Sequence, residues 1–246
     1  LSYGGYLDLT TTPKARRATQ QFDVAPVIKI KNNDGTQLSG SQHAVTVTTD
    51  VIGNLTFNGT ALTAGKTITA SDGVFDFTGL GFATGVTTSQ VLTFSSPDFV
   101  DYQVTVAPKF SPTTVQIVAD SAVASTAGYF DSTGQFYADA AASTNIRVSD
   151  LSAAMASTDV RIDATSTISV DTAANFSSRT TGLTMVATST LTVASGNMLT
   201  TGGALTLTGS SVTINGAVTS GGTTLVTSTS SSSGLNTIAA NVTNTG

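Results

Sequence analysis

Three features of the sequence predict an all-β chain: an Ig-like β-sandwich followed by a parallel β-helix (β-solenoid) of about five coils. Glu is absent, so all fifteen acidic residues are Asp, and Thr, Ser, Val and Gly, which are poor helix formers, dominate. All five prolines lie before position 113 and ten of the eleven phenylalanines before position 137. From Thr180 to Gly246 the chain runs without Asp, Glu, Lys, Arg, His, Pro, Cys or an aromatic ring. Helix is therefore expected to be a minor element, and the two halves are expected to fold by different rules.

Charged residues make up 10% of the chain, where about 25% is usual. Hydrophobic residues still reach 39%, and their regular spacing predicts a packed core and not disorder. Net charge is −5, and the ten basic residues are dispersed except for Lys14, Arg16 and Arg17. Without a basic face, nucleic acid is not an expected partner. The lack of cysteine excludes disulfides, thiol chemistry and thiolate zinc sites. No apolar run approaches the ~20 residues that a membrane-spanning helix needs. The chain starts at Leu1 with no charged-then-apolar leader, as expected of a processed protein or of a piece of a longer one.

In the first part, proline and rings are the vocabulary of a sandwich, with proline at strand ends and aromatic side chains between sheets. Alternation predicts strands at Leu7–Thr11, Val27–Lys31, Ala44–Thr49, Asn54–Phe57, Lys66–Ala70, Val74–Thr78, Val91–Ser95 and Val100–Val106. Asp34-Gly35, Asn58-Gly59 and Asp72-Gly73 mark turns that need positive φ. Seven or eight strands in about 100 residues is the count of an immunoglobulin-like sandwich. Phe57, Phe75, Phe77, Leu92 and Phe94 are its expected core.

Several ordered blocks also carry a resemblance. They are Val24-Ala25-Pro26-Val27-Ile28, Asp34-Gly35, Ala44-Val45-Thr46-Val47, Leu55-Thr56-Phe57-Asn58-Gly59-Thr60, Asp72-Gly73-Val74-Phe75-Asp76-Phe77-Thr78-Gly79-Leu80 and Leu92-Thr93-Phe94-Ser95-Ser96-Pro97. Over roughly residues 6–107 they resemble the bacterial Ig-like repeat of large cell-surface proteins and adhesins. The resemblance implies a spacer or adhesive module and supplies no catalytic residue. Residues 108–136 are expected to be a connector.

The second part, about 137–246, repeats itself. Ile146-Arg147-Val148, Ile168-Ser169-Val170, Leu191-Thr192-Val193 and Val212-Thr213-Ile214 recur at a nearly constant interval. Val160-Arg161-Ile162, Leu183-Thr184-Met185 and Leu205-Thr206-Leu207 run in phase with them. A third, weaker series carries Met198-Leu199 and Ala217-Val218. A period of roughly 20–25 residues indicates a solenoid. Each coil pairs with its neighbours at ~4.8 Å, with aliphatic side chains inward and Thr or Ser outward. Five coils would make a rod of roughly 24 Å at that spacing. This part resembles the β-helical shafts of filamentous-haemagglutinin-like exoproteins, which implies secretion and adhesion or scaffolding.

Candidate sites are few. The uncharged run holds no group that titrates near neutrality, hence no general acid, general base or ordinary metal ligand. His43, the only histidine, is expected at the surface before a strand, with no triad spacing around it. Asp98, Asp101 and Asp120 are weak candidates for structural calcium, set against the ordinary reading of solvated turn aspartates. Arg147, Asp159, Arg161, Asp163 and Asp171 decorate the first coils; a solvated face is the first reading, a polysaccharide-processing carboxylate site the more distant one. Lys14, Arg16 and Arg17, near Tyr3 and Tyr6, form a candidate interaction cluster against the plainer reading of a solvated strand. Asn54, Asn58, Asn175 and Asn241 open Asn-x-Ser/Thr sequons.

The expectation is a non-enzymatic structural or adhesive module of a secreted bacterial cell-surface protein, extracellular, without cofactor or membrane span. It would be part of a fibre, filament or surface layer (S-layer) and would self-assemble with copies of itself or with further domains. The alternatives are a monomeric adhesin that binds glycan or host protein and, more distantly, a polysaccharide-processing enzyme.

Overall fold

The computed structural model describes residues 4–40, 42–230, 236–239 and 241–246; Tyr3 lies outside them. The chain divides into two compact units, Leu1–Lys109 and Phe110–Gly246. It is all-β, with a parallel β-solenoid of about three turns in its C-terminal part.

The first unit contains β1 (Gly5–Thr11), β2 (Val27–Asn32), β3 (His43–Thr49), β4 (Leu55–Phe57), β5 (Thr60–Ala61), β6 (Lys66–Ala70), β7 (Val74–Asp76), β8 (Leu80–Phe82), β9 (Gln90–Ser96) and β10 (Phe99–Val106). They form antiparallel sheets in the orders β1-β2-β7, β10-β9-β3-β6 and β5-β4-β8. Alternation sets the buried face: Val45 and Val47 on β3 and Leu92 and Phe94 on β9 join Ile28, Ile30, Phe75, Phe77, Leu80 and Phe82 in one core. The turn signals act as expected. Gly35, Gly59 and Gly73 take positive φ, and the Asp34 and Asp72 carboxylates accept the backbone N–H two residues on, at 2.9 and 3.0 Å. The short strands β5 and β8 were not expected.

The second unit opens with β11 (Thr114–Val118), β12 (Gly128–Phe130), β13 (Phe136–Ala138), β14 (Ser143–Arg147) and α1 (Val148–Ala154). Three turns of three strands follow: β15 (Val160–Ala164), β16 (Thr167–Val170) and β17 (Ala174–Phe176); β18 (Leu183–Ala187), β19 (Thr190–Val193) and β20 (Met198–Thr201); β21 (Leu205–Gly209), β22 (Ser211–Ile214) and β23 (Ala217–Ser220). Strands β24 (Thr224–Ser228), β25 (Thr237–Ile238) and β26 (Val242–Asn244) pair in parallel onto the third turn.

Three walls result, in the orders β14-β11-β16-β19-β22-β25, β15-β18-β21-β24 and β17-β20-β23-β26. Inward columns are aliphatic: Ile162, Met185, Leu207 and Val226 in one wall, Ile168, Leu191 and Val212 in another. Phe176, Thr201 and Ser220 are in register in the third wall, where the two buried hydroxyls donate to the Gly203 carbonyl at 3.0 Å each.

The structure corrects the sequence reading at three points. The solenoid has about three turns and not five, because much of residues 137–159 forms β13, β14 and α1 in place of a three-strand coil. Residues 108–136 are more than a connector: β11 lies between β14 and β16 and pairs with both. Ile146 therefore faces Ile117 across the ladder, and not Ile168. Val148 begins α1 instead of ending a strand; the helix turns Leu151, together with the following Met155, into the core. The Asp120 carboxylate accepts the Ser149 N–H of its first turn at 2.9 Å.

Two devices hold the turns in register. One corner carries a ladder of hydroxyls, each donating to a carbonyl of the preceding layer: Thr165 to Pro112, Thr188 to Thr165, Ser210 to Thr188 and Ser228 to Ser210. At another corner backbone packs directly on backbone. A Cβ on Gly203 would strike the Thr180 and Thr181 carbonyls, and one on Gly221 would strike Gly202.

Gly203→Ala is expected to lower stability by about 1–3 kcal/mol, as overpacking does, while Gly182→Ala, where a Cβ meets only ordinary contacts, changes it little. Urea unfolding of both variants checks this. Ser210→Ala removes one rung of the hydroxyl ladder and should cost about 0.5–1.5 kcal/mol in the same assay.

Candidate functional site

The charged candidates are dispersed, each tied to its own neighbours. Arg147 donates to Asp150 from Nε (3.0 Å) and Nη2 (3.1 Å) and to the Ala124 carbonyl from Nη1 (3.1 Å). That fork, with Thr126 Oγ1 donating at 2.7 Å, clamps the segment before β12 against the start of α1. The Asp150 carboxyl is held below its ordinary value first by Arg147 and then, against some desolvation, by Thr126. Arg147 is raised by the same bond.

Arg161 points outward and pairs with Asp163 at 2.8 Å on the same strand, as alternation predicts. Asp159 accepts the Gly182 N–H at 2.7 Å, and Asp171 accepts from Gln116 and Ser169. The Asp159–Gly182 and Asp171–Gln116 bonds link successive layers of the solenoid, while Arg161–Asp163 and Ser169–Asp171 are local to one segment.

His43 departs from the expected surface position. It is the first residue of β3, on the same inward face as Val45 and Val47, and is only 7% exposed. Its ring meets Phe99 edge-on at 5.6 Å, and Nδ1 lies 3.6 Å from Asp98 Oδ2.

The calcium candidates are distributed between the units: Asp98 lies beside His43 and Asp101 is exposed on β10 in the first, while Asp120 caps α1 in the second. Among the described residues, no group of three or more His, Cys, Asp or Glu is arranged to hold a metal ion. In the basic cluster, Arg16 pairs with Asp23 at 3.0 Å, and the backbones of Lys14 and Arg17 bridge Val24 and Lys109.

Two surfaces stand out instead. The first is the outer wall of the solenoid, where register aligns polar side chains in columns: Gln116, Ser169, Thr192, Thr213 and Thr237 on one face, Asn175, Thr200, Thr219 and Thr243 on another. Their spacing along the axis is that of stacked strands, ~4.8 Å. Sequence periodicity gave Ser169, Thr192 and Thr213 of the first column; Gln116, Thr237 and the second column came from the strand register.

The second surface is an apolar cleft of about 180 Å³ in the first unit, lined by Thr48, Thr49, Ile52, Leu55, Leu62 and Gly65 among others. The turn after β3, which supplies Ile52 to this lining, leaves Val51 and Ile52 50% and 81% exposed. The cleft was not legible beforehand. Its only sequence signal is the apolar pair Val51-Ile52 in a turn, and its walls come from the end of β3, the turn after it, the start of β4 and the segment 62–65, joined by tertiary folding.

No family model, no curated protein and no solved structure matches the chain. Among the described residues no helix is long and apolar enough to cross a membrane.

The depressed Asp150 carboxyl has a definite pH signature. Its bond to Arg147 stabilises the fold above the unfolded value of ~3.9 and is lost as pH falls through the lower folded value. Asp150→Asn should therefore melt below the unsubstituted chain at pH 7, and the gap should narrow as pH drops below about 4. Thermal melts from pH 7 to 2 check this.

Proposed function

We propose that the chain is a structural or adhesive module of a secreted bacterial cell-surface protein, a component of a fibre, filament or surface layer. The observation that carries this reading is the solenoid itself: stacked turns with aliphatic columns inside and hydroxyl columns outside. Such a body keeps a fixed length and offers a long, uncharged, hydrogen-bonding face, which suits spacing and contact.

The sheet orders of the first unit support an Ig-like module preceding it in the chain. Assigning β1, β2, β3, β6, β7, β9 and β10 as strands A, B, C, C′, E, F and G, the sheets β1-β2-β7 and β10-β9-β3-β6 correspond to A-B-E and G-F-C-C′. The resemblance of residues 6–107 to the bacterial Ig-like repeat points the same way, and that of the repeating part to filamentous-haemagglutinin-like shafts adds secretion to the proposal.

A second reading, a monomeric glycan- or host-binding adhesin, draws on the same hydroxyl columns. Glycan-array binding by the isolated monomer would favour it over an assembly role.

Antibodies raised against the chain are expected to label the outer surface of intact producing cells. Labelling that appears only after the cells are permeabilised would overturn the surface role.

A further inference from the structure

We propose that the outer face of the six-strand wall of the solenoid binds ice. The other two walls show what an outward position of this solenoid accepts. One carries Arg161, Val186 and Leu225 there and the other Met198 and Ala217, so the fold itself does not demand hydroxyls. The six-strand wall is different. Beside the column of Ser169, Thr192 and Thr213 stands a second one, Ser143, Thr114, Thr167, Thr190 and Ser211, in which every member is a hydroxyl. Thr167 and Thr190 each stand one residue before the paired Ile168 and Leu191. Ser143 and Thr114 belong to β14 and β11, outside the three repeated turns, so repetition of one coil does not account for the column.

The two columns form a lattice whose intervals the backbone sets. Its rungs are one strand spacing apart, ~4.8 Å, and outward side chains two residues apart on one strand are separated by about 6.5–7 Å. The water repeats of hexagonal ice along its a and c axes fall within about a tenth of these two intervals. The ladders from β14 to β25 run without the register shifts that interrupt β1–β2 and β9–β10. Threonine adds stiffness, because its β-branched side chain has few χ1 choices and holds methyl and hydroxyl in place before any ligand arrives.

Ice is recognised by its repeat, and neither charge nor an aromatic ring is needed to hold it. The two columns contain neither, and the Asp171 carboxylate at their margin accepts from Ser169 and Gln116. A water lattice also needs hydroxyls left open to it. The corner hydroxyls of Thr188 and Ser210 are used on carbonyls, whereas those of Thr190, Thr192 and Thr213 have no hydrogen-bond partner among the described residues. Fixing a liquid water between two such groups costs up to about 2 kcal/mol, and in ice the water is already fixed.

The inference goes beyond the proposed surface role and does not rest on it, since it needs only the register of one wall. Surface labelling and ice binding are separate readouts, and either can fail alone.

The test freezes a dilute solution of the full chain slowly onto a cooled probe and compares the protein held in the ice with that left in the liquid. The unsubstituted chain should be enriched in the ice. Thr192→Lys and Thr213→Lys each put a strongly hydrated ammonium in the middle of the lattice and should be left in the liquid, as a protein without affinity for ice is. Thr206→Lys and Thr219→Lys, outward on the other two walls, should partition like the unsubstituted chain. Circular dichroism melts of each variant verify folding. An unsubstituted chain left in the liquid, folded Thr192→Lys and Thr213→Lys variants held in the ice as well as the unsubstituted chain, or an equal loss on Thr206→Lys or Thr219→Lys would each overturn the proposal. Glycan-array binding that Thr192→Lys abolishes, without enrichment in ice, would assign the face to a sugar instead.

Discussion

The solenoid depends on one constraint: every turn must present its backbone to the turns above and below at the spacing of paired strands. Once that register is set, side chains in equivalent positions stack in columns, so each column needs one character throughout. Ile168, Leu191 and Val212 satisfy it inside the tube and Ser169, Thr192 and Thr213 outside. Corners feel the same constraint more severely, because backbone meets backbone there. Gly203 and Gly221 give the room, and the hydroxyls of Thr188, Ser210 and Ser228 bind the carbonyls left beyond the strands. Charge has no part in this scheme, which accounts physically for the run from Thr180 to Gly246 without any.

Where charges do occur in the second unit, they organise its first layers. Asp120, Arg147 and Asp150 fasten α1, and α1 in turn buries Leu151 and the following Met155 against the core. Arg147, which the sequence placed first on a solvated face of the early coils, is instead occupied in holding the helix to the segment before β12. In the first unit, polar residues likewise act locally: aspartates close turns, and His43 fills an inward position beside Phe99. The exposed apolar side chains of Val51 and Ile52 contrast with this economy, since nothing in the unit's own core uses them.

Much of the strand pattern was legible because alternation and period are local properties. Val27–Lys31 and Lys66–Ala70 could be read from residues two apart, and the columns of the solenoid from triplets one period apart. The insertion of β11 between β14 and β16 was not legible, because parallel pairing of Thr114–Val118 with strands far onward in the chain leaves no local mark. Helix α1 was hidden for a related reason. Val148-Ser149-Asp150 has weak helical propensity, and Asp120, remote in sequence, accepts the Ser149 N–H in its first turn.

The amino-acid sequence by itself determined that the chain is all-β, that its second part stacks in turns, and which faces of those turns are aliphatic and which hydroxylic. Side-chain alternation and repeat length suffice for that, because each column is written out residue by residue. Only the tertiary structure decided the number of turns, the order of the first strands, the burial of His43 and the apolar cleft that Ile52 helps to line. Those depend on which distant segments meet, and loop closure places them by the energy of the whole core and not by the preference of any one segment.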